Sequence, residues 1–150
     1  MTKPLEGVEL TQIVQPQFPK IPVTADGLCL WVGTDGIREI SEFLRDDPGL
    51  MFNYLNSISA VDFVEYFDVV YHLTSFNYNH SAIMKTRVFG RVELSVPSVV
   101  DIWPGANFQE REIWDLLGIQ FDGHPNLKRI MLWEGYIGHP LRKDYLEPPR

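Results

Sequence analysis

Residues 67–89, FDVVYHLTSFNYNHSAIMKTRVF, contain the clearest secondary-structure pattern in the chain. β-Branched and aromatic residues dominate 67–76, and apolar and polar residues alternate over 82–89, as is typical of strands. The intervening residues 77–81 (NYNHS) favour a turn. Two strand-like runs joined by about five residues predict an antiparallel hairpin.

Upstream of the hairpin, the sequence predicts one buried strand and one helix. The short apolar run 28–32 (LCLWV) has the length and composition of a buried strand. A helix is expected to begin with Thr34 or Asp35 as its cap and to end at Pro48 and Gly49. Its apolar residues recur every three or four positions, which predicts one buried face. They are Ile37, Ile40, Phe43 and Leu44.

The remaining segments complete a mixed fold. Residues 1–27 contain four prolines and no clear periodicity, so we predict a mobile or loosely packed lead-in. A further strand is expected over 57–62, and a short helical turn is expected between Pro97 and Pro104. Together these elements predict an α/β (α+β) fold in which helices pack on a small mixed or antiparallel sheet.

A second helix is predicted from Asn107 to Gly118. Asn107 and Glu110 have the spacing of a capping box, yet Glu110 also falls within the apolar arc of the helix. Two interpretations of Glu110 therefore remain open: a cap of the first turn, or a half-buried carboxylate that needs a cationic partner. The opposite arc is polar and consists of Arg111, Glu112 and Asp115.

Length and composition exclude several classes of protein. The 150 residues are 13% aromatic, which is typical of one folded domain and not of a disordered chain. The net charge of −7 argues against nucleic acid as a partner. No apolar run approaches the about 20 residues of a membrane span, and residues 1–7 contain no apolar segment typical of a secretory signal. A single cysteine, Cys29, cannot form an internal disulfide, which favours a reducing compartment.

The last part of the chain, residues 122–150, has a different character from residues 1–121. Its net charge is +1, against −8 for residues 1–121, and it combines bulky apolar residues with many glycines and prolines. So long a connection without regular structure is uncommon in a compact domain and is usually functional. We therefore predict a domain over 1–121 and a long extended C-terminal interface tail over 122–150. The alternative, that the tail wraps its own domain, stays open.

The sequence contains no self-sufficient active site. Asp122, His124 and His139 could form a metal site, but they lack the local spacing of zinc ligands. Cys29 lies in an apolar strand, where a thiol is inert. The glycines at 33 and 36 are not followed by the glycine and lysine of a phosphate-binding loop.

Three stretches are far more specific than any of these patterns. They are 110–119 (EREIWDLLGI), 123–130 (GHPNLKRI) and 138–145 (GHPLRKDY). This combination resembles the NuoC-type (NdhJ-like) subunit of respiratory complex I, the NADH:quinone oxidoreductase. The resemblance extends over about the last two thirds of the chain.

The resemblance implies a non-catalytic, peripheral-arm subunit of a proton-translocating NADH:quinone oxidoreductase. Such a subunit binds no cofactor of its own, whereas FMN and iron–sulfur clusters are expected in its partners. The implied partners are the large quinone-site subunit and the iron–sulfur subunits, and contact with the membrane is indirect, on the cytoplasmic side. The alternative is a small scaffold subunit of a related membrane-bound nickel–iron hydrogenase, or of a ferredoxin- or deazaflavin-driven complex.

The resemblance also selects interface residues, none of them catalytic or metal-binding. The basic residues among them are expected to act in assembly and to be solvated in the isolated chain. The full set is Glu110, Arg111, Glu112, Asp115, His124, Pro125, Arg129, His139, Arg142, Lys143 and Asp144.

Overall fold

A computed structural model describes residues 1–149, so the last residue of the predicted tail lies outside the described range. The first half of the chain contains β1 (Lys3–Pro4), α1 (Gly7–Val14), β2 (Val23–Asp26), β3 (Cys29–Val32), a 3-10 turn (Thr34–Gly36) and α2 (Ile37–Asp46). The second half contains β4 (Tyr54–Asp62), β5 (Tyr66–Ser75), β6 (His80–Phe89), β7 (Ser95–Pro97), α3 (Ala106–Leu117) and β8 (Gln120–Asp122).

The predicted hairpin forms the centre of the main sheet. β5 and β6 pair antiparallel from Tyr66–Phe89 to Ser75–His80. The strand order is β2-β3-β6-β5-β4, with β3 parallel to β6 and β1 added to β6. β7 and β8 form a separate two-stranded parallel sheet. The predicted mixed α/β fold is thus confirmed.

One face of the main sheet contributes to the hydrophobic core and the other is open. Alternation along β6 buries Ala82, Met84, Thr86 and Val88, whereas the residues between them remain partly exposed. α2 also buries the predicted apolar positions Ile37 and Ile40. The core therefore lies between the helices and one side of the sheet.

The prediction of a loosely packed lead-in over 1–27 is wrong. Leu10 and Val14 of α1 are fully buried in the core. The sequence pattern fails here because α1 has only eight residues, and prolines separate it from β2, so no long periodic pattern develops. The helical turn expected between Pro97 and Pro104 is present, with the Trp103 N–H donating to the Val99 carbonyl, but it begins at Val99 because Ser95–Pro97 is strand β7.

Residues 123–149 contain no helix or strand, as expected for an extended tail. The division of the chain at residue 121 stays a prediction. The path of the tail decides which side chains can meet a partner, because it folds back over the C-terminal end of α3.

Candidate subunit interface

The C-terminal end of α3 is the point at which the tail attaches. The last carbonyl groups of a helix have no partner within the helix, and here the tail supplies donors to three of them. His139 Nδ1 donates to the Asp115 carbonyl at 3.0 Å, the Leu141 N–H to the Leu116 carbonyl at 3.0 Å, and Arg142 Nε to the Leu117 carbonyl at 2.5 Å. The positive charge of Arg142 also complements the negative end of the helix dipole.

Gly118 allows this close approach. It follows α3 in the left-handed conformation, with φ of 77°, and so ends the helix where predicted. A Cβ atom at this position would lie 2.6 Å from the His139 ring and 2.7 Å from the Arg142 guanidinium. Only glycine satisfies both the backbone angle and the contact.

Asp115 holds the first part of the tail. Its buried carboxylate accepts an N–H bond from Arg129 at 2.8 Å and three more from the backbone of residues 130–132 at 2.7–3.1 Å. Burial alone would raise the pKa of Asp115, but the Arg129 guanidinium and the three N–H groups outweigh it and lower that pKa. The helical period puts Asp115 on the polar arc of α3, yet it is fully buried because the tail covers the arc at this position.

Arg129 is the matching donor and organises the loop that follows. Its guanidinium also donates to the carbonyl oxygens of Asp115, Tyr136 and Gly138 at 3.0, 2.6 and 2.9 Å. The Arg129 side chain is only 14% exposed, so the expectation that the tail charges are solvated in the isolated chain is wrong for this residue. We call Asp115 and Arg129 together the tail clasp.

A second attachment involves two residues that the sequence analysis missed. Arg91 binds the Asp62 carboxylate with both terminal nitrogens, at 2.5 and 2.9 Å, and also binds Asp144 of the tail at 2.5 Å. The Lys143 N–H donates to Asp62 at 2.9 Å, and Arg142 donates to the Arg91 carbonyl at 2.8 Å. The Arg91 guanidinium lowers the pKa of Asp62 far below its usual range, against the effect of burial. Lys143 thus contributes its backbone, whereas Asp144 contributes its side chain.

Glu110 is not a helix cap but a buried carboxylate beside a buried histidine, His124. α3 begins at Ala106, so Asn107 lies inside the helix and makes no side-chain cap. The fully buried Glu110 carboxylate accepts hydrogen bonds from the Ser98 hydroxyl at 2.7 Å and the Val99 N–H at 2.9 Å. Burial raises the pKa of Glu110 to about 7, although these two bonds oppose the change. The His124 Nε2 atom also lies 4.0 Å from this carboxylate. The capping interpretation is therefore wrong. The buried-carboxylate interpretation holds: two neutral donors bind Glu110, and His124, a cation when protonated, lies next to it.

The remaining predicted residues have separate roles. Arg111 donates to the carbonyl groups of Lys128 and Arg129, and Glu112 is exposed. His124 donates to the Asn107 carbonyl through Nε2 at 3.0 Å and accepts the Asn126 N–H at Nδ1, while Pro125 lies exposed in this turn. The predicted residues therefore gather along α3 and the tail, where most of them bind backbone groups and two pairs, Asp115 with Arg129 and Glu110 with His124, meet side chain to side chain.

No metal centre forms from these residues. His139 is hydrogen-bonded to the Asp115 carbonyl at the end of α3, and His124 to the Asn107 carbonyl in its first turn. Asp122 accepts a hydrogen bond from the Ser95 hydroxyl. Across residues 1–149, no group of three or more His, Cys, Asp or Glu side chains could hold a metal ion. No helix in the same range is long and apolar enough to cross a membrane.

The outer side of the tail exposes large apolar side chains to solvent. Hydrogen bonds to α3 and to Asp62 hold the tail backbone, and these side chains do not take part in them. Their exposure ranges from 60% at Leu141 to 86% at Leu146. We call this set the exposed tail face: Met131, Trp133, Ile137, Leu141 and Leu146.

Comparisons with known proteins agree with this architecture. A solved chain from the membrane-bound sulfane sulfur reductase, an archaeal respiratory membrane complex, superposes with a TM-score of 0.70 at 27% identity. The match covers 93% of this chain and 85% of that one. The mixed sheet with its docked tail thus defines the class: a fold shared with a component of a respiratory membrane complex.

Sequence comparison gives the particular family. The family model described as "Respiratory-chain NADH dehydrogenase, 30 Kd subunit" matches residues 30–149. The C subunit of NADH-quinone oxidoreductase from Roseiflexus castenholzii is 46% identical over 120 residues, covering 78% of this chain and 68% of the relative. The same subunit from Herpetosiphon aurantiacus is 38% identical over 146 residues, covering 94% and 85%. The chain belongs to the family of NADH-quinone oxidoreductase C subunits, the 30 kDa subunits of complex I.

Proposed function

We propose that this chain is a non-catalytic, peripheral-arm subunit of a proton-translocating NADH:quinone oxidoreductase. It binds the large quinone-site subunit and adjoins the iron–sulfur subunits, so that electrons carried by their FMN and iron–sulfur clusters reach quinone. Its attachment to the cytoplasmic side of the energy-transducing membrane is indirect, through these partners. Family membership supports the complex, and the structure of the tail supports the mode of binding.

The observation that carries this proposal is the exposed tail face. A segment that exposes five large apolar side chains has the character of a protein–protein interface. Trp133 is among the residue types that most often dominate binding energy. The tail clasp fixes the backbone beneath the patch, which lowers the entropy lost on binding. The charged family residues Asp115, Arg129 and Arg142 therefore act in assembly by positioning the tail and not by contacting the partner.

The proposal is tested by charge substitution on the exposed tail face. Trp133→Asp with Ile137→Asp should leave the melting temperature of the isolated chain nearly unchanged, because both side chains are already in water. Burying two unpaired carboxylates in an interface should reduce assembled complex on a native gel by at least tenfold. Phe108→Asp, on an exposed site of α3, is the matched control. Normal assembly of the double variant would contradict the proposal.

A second candidate rests on the structural match. The sulfane sulfur reductase chain covers nearly the whole fold, so the same scaffold also suits a related hydrogenase or a ferredoxin- or deazaflavin-driven complex. Affinity purification of the tagged chain from its native membrane distinguishes the two. Copurified NADH-binding and quinone-site subunits favour the first candidate, and a nickel–iron large subunit favours the second.

A further inference from the structure

β4 is an edge strand whose outer backbone groups have no strand partner among residues 1–149. The sheet order ends at β4, which pairs only with β5. The Phe63 N–H donates to the Tyr66 carbonyl at 2.9 Å, which fixes the direction in which successive β4 residues point. Because these directions alternate along a strand, Ile58, Ala60 and Asp62 point their N–H and C=O groups away from β5.

A side chain of α3 independently supports this assignment. The outward Ile58 N–H is bound by Gln109 Oε1 at 2.5 Å. Gln109 therefore satisfies the edge at Ile58, and no corresponding hydrogen bond reaches the Ala60 N–H from any described side chain. Half-exposed Ala60 is thus the accessible centre of the free edge.

A groove runs between this edge and α3. Its volume is about 190 Å³, and apolar residues of α3 and Leu141 of the tail line it. Glu112 lies exposed on the same wall and forms no ion pair within the described part of the chain. The groove thus combines backbone donors and acceptors, an apolar wall and one negative charge.

We propose that the β4 edge binds an extended segment of the neighbouring subunit as an added strand. This proposal rests on the proposed function and extends it. A peptide backbone is the complementary ligand for an open strand edge beside a helix. One apolar side chain of the segment enters the groove, and a Lys or Arg lies beside Glu112. Leu141 belongs both to the groove and to the exposed tail face, so one neighbour covers both surfaces continuously.

Charge argues against a second copy of this chain as the occupant. A two-fold symmetric pair of β4 edges would apply the same surface to itself. It would bring the two Glu112 carboxylates into one continuous groove on chains that each carry a net charge of −7. A basic segment of a partner subunit removes that repulsion.

The first test is Ala60→Pro in cells where the variant replaces the native chain. Proline removes the outward N–H and puts its ring in the path of an added strand, yet it is tolerated at the free side of an edge strand. Assembled complex should fall about tenfold, since a strand hydrogen bond and close contact are lost. Ala60→Val keeps the N–H and should assemble normally.

The opposite edge of the sheet offers a matched control. The Gly33 N–H donates to the Pro22 carbonyl, so Ala25 of β2 also points its N–H away from its neighbouring strand. Ala25→Pro is therefore the same substitution on the other edge, and it should leave assembly unchanged. Equal loss of assembly in both proline variants would overturn the assignment of β4.

A second measurement does not depend on the folding of any variant. Hydrogen exchange of the unmodified chain, free and in the purified complex, should show the Ala60 amide at least tenfold slower in the complex. If Trp133→Asp with Ile137→Asp abolishes assembly while exchange at Ala60 is the same in both states, the β4 proposal fails and the proposed function stands. If purified complex contains this chain and substitutions on neither the β4 edge nor the exposed tail face reduce assembly, the β4 proposal and the proposed function both fail. Dimers of the isolated chain that Ala60→Pro dissolves would assign the edge to a second copy and overturn the proposal.

Discussion

The sheet core and the tail show two different ways of fixing a polypeptide. The core is held by apolar burial, with residues such as Leu30, Ile40 and Met84 fully enclosed. The tail buries few of its apolar residues and is held by hydrogen bonds to charged groups and helix carbonyls. The comparison shows why the tail can keep an apolar surface exposed: its order does not depend on burying that surface.

This difference predicts that the two regions can be separated by one substitution. Arg129→Ala removes four hydrogen bonds and leaves the Asp115 carboxylate buried without its cation, which should cost about 3–5 kcal/mol. Because the tail can detach and let water reach Asp115, the loss should appear as release of the tail. Limited proteolysis should cleave residues 123–149 early, while circular dichroism of the core stays native.

Arg45→Ala is the control for that experiment. Arg45 pairs with Asp46 on the surface of α2, far along the chain from the tail, and makes two long bonds to the Asp101 and Ile102 carbonyls at 3.5 and 3.3 Å. Exposed pairs contribute under about 1 kcal/mol, so the loss should be small and confined to the core. Simultaneous loss of core and tail in Arg129→Ala would show that the two regions form one cooperative unit and would refute the distinction.

The stability of the sheet core should depend on pH through Glu110. Its pKa is raised to about 7 in the folded chain against 4.5 for the free side chain, so the folded state holds the proton more tightly. The contribution of Glu110 to stability is complete below about pH 4.5 and is lost as the pH rises through 7. The loss amounts to about 3 kcal/mol, since one pH unit between the two values corresponds to about 1.36 kcal/mol.

Urea unfolding of the native chain and of Glu110→Gln between pH 4.5 and 8 measures this effect. Glutamine keeps an acceptor for Val99 and can donate to Ser98, but it does not titrate. As the pH rises from 4.5 to 8, the difference in unfolding free energy between the two chains should therefore shift by about 3 kcal/mol in favour of the variant. A difference independent of pH would contradict the assigned pKa.

The smallest expected effect concerns Tyr71 of β5. Its hydroxyl is fully buried and has no hydrogen-bond partner among the described residues. Tyr71→Phe removes an unsatisfied polar group without changing the ring, so it should be neutral or stabilising by up to about 1 kcal/mol. Chemical denaturation of both chains measures the change in the free energy of unfolding. A decrease above about 1 kcal/mol in Tyr71→Phe would reveal a bound water or another partner for the hydroxyl.

The same contrast explains what could be predicted from the sequence. The hairpin 67–89 and helix α2 were predictable because burial imposes a period of two or of three to four on neighbouring residues. The burial of Asp115 was not predictable from its helix, because a segment 14–17 residues later covers it. Asp62 and Arg91 were missed because they pair across 29 residues and no local motif marks either.

The docking of the tail on α3 has a consequence for how it competes with other ligands. The tail leaves β8 at Asp122, contacts the first turn of α3 at His124 and reaches the C-terminal end of α3 with His139 and Arg142, so it acts as a ligand tethered to its own receptor. A short tether gives an effective concentration in the millimolar range or above. Even individually weak bonds then keep the end of α3 occupied, and a free peptide of the same sequence could displace the tail only at comparable concentrations.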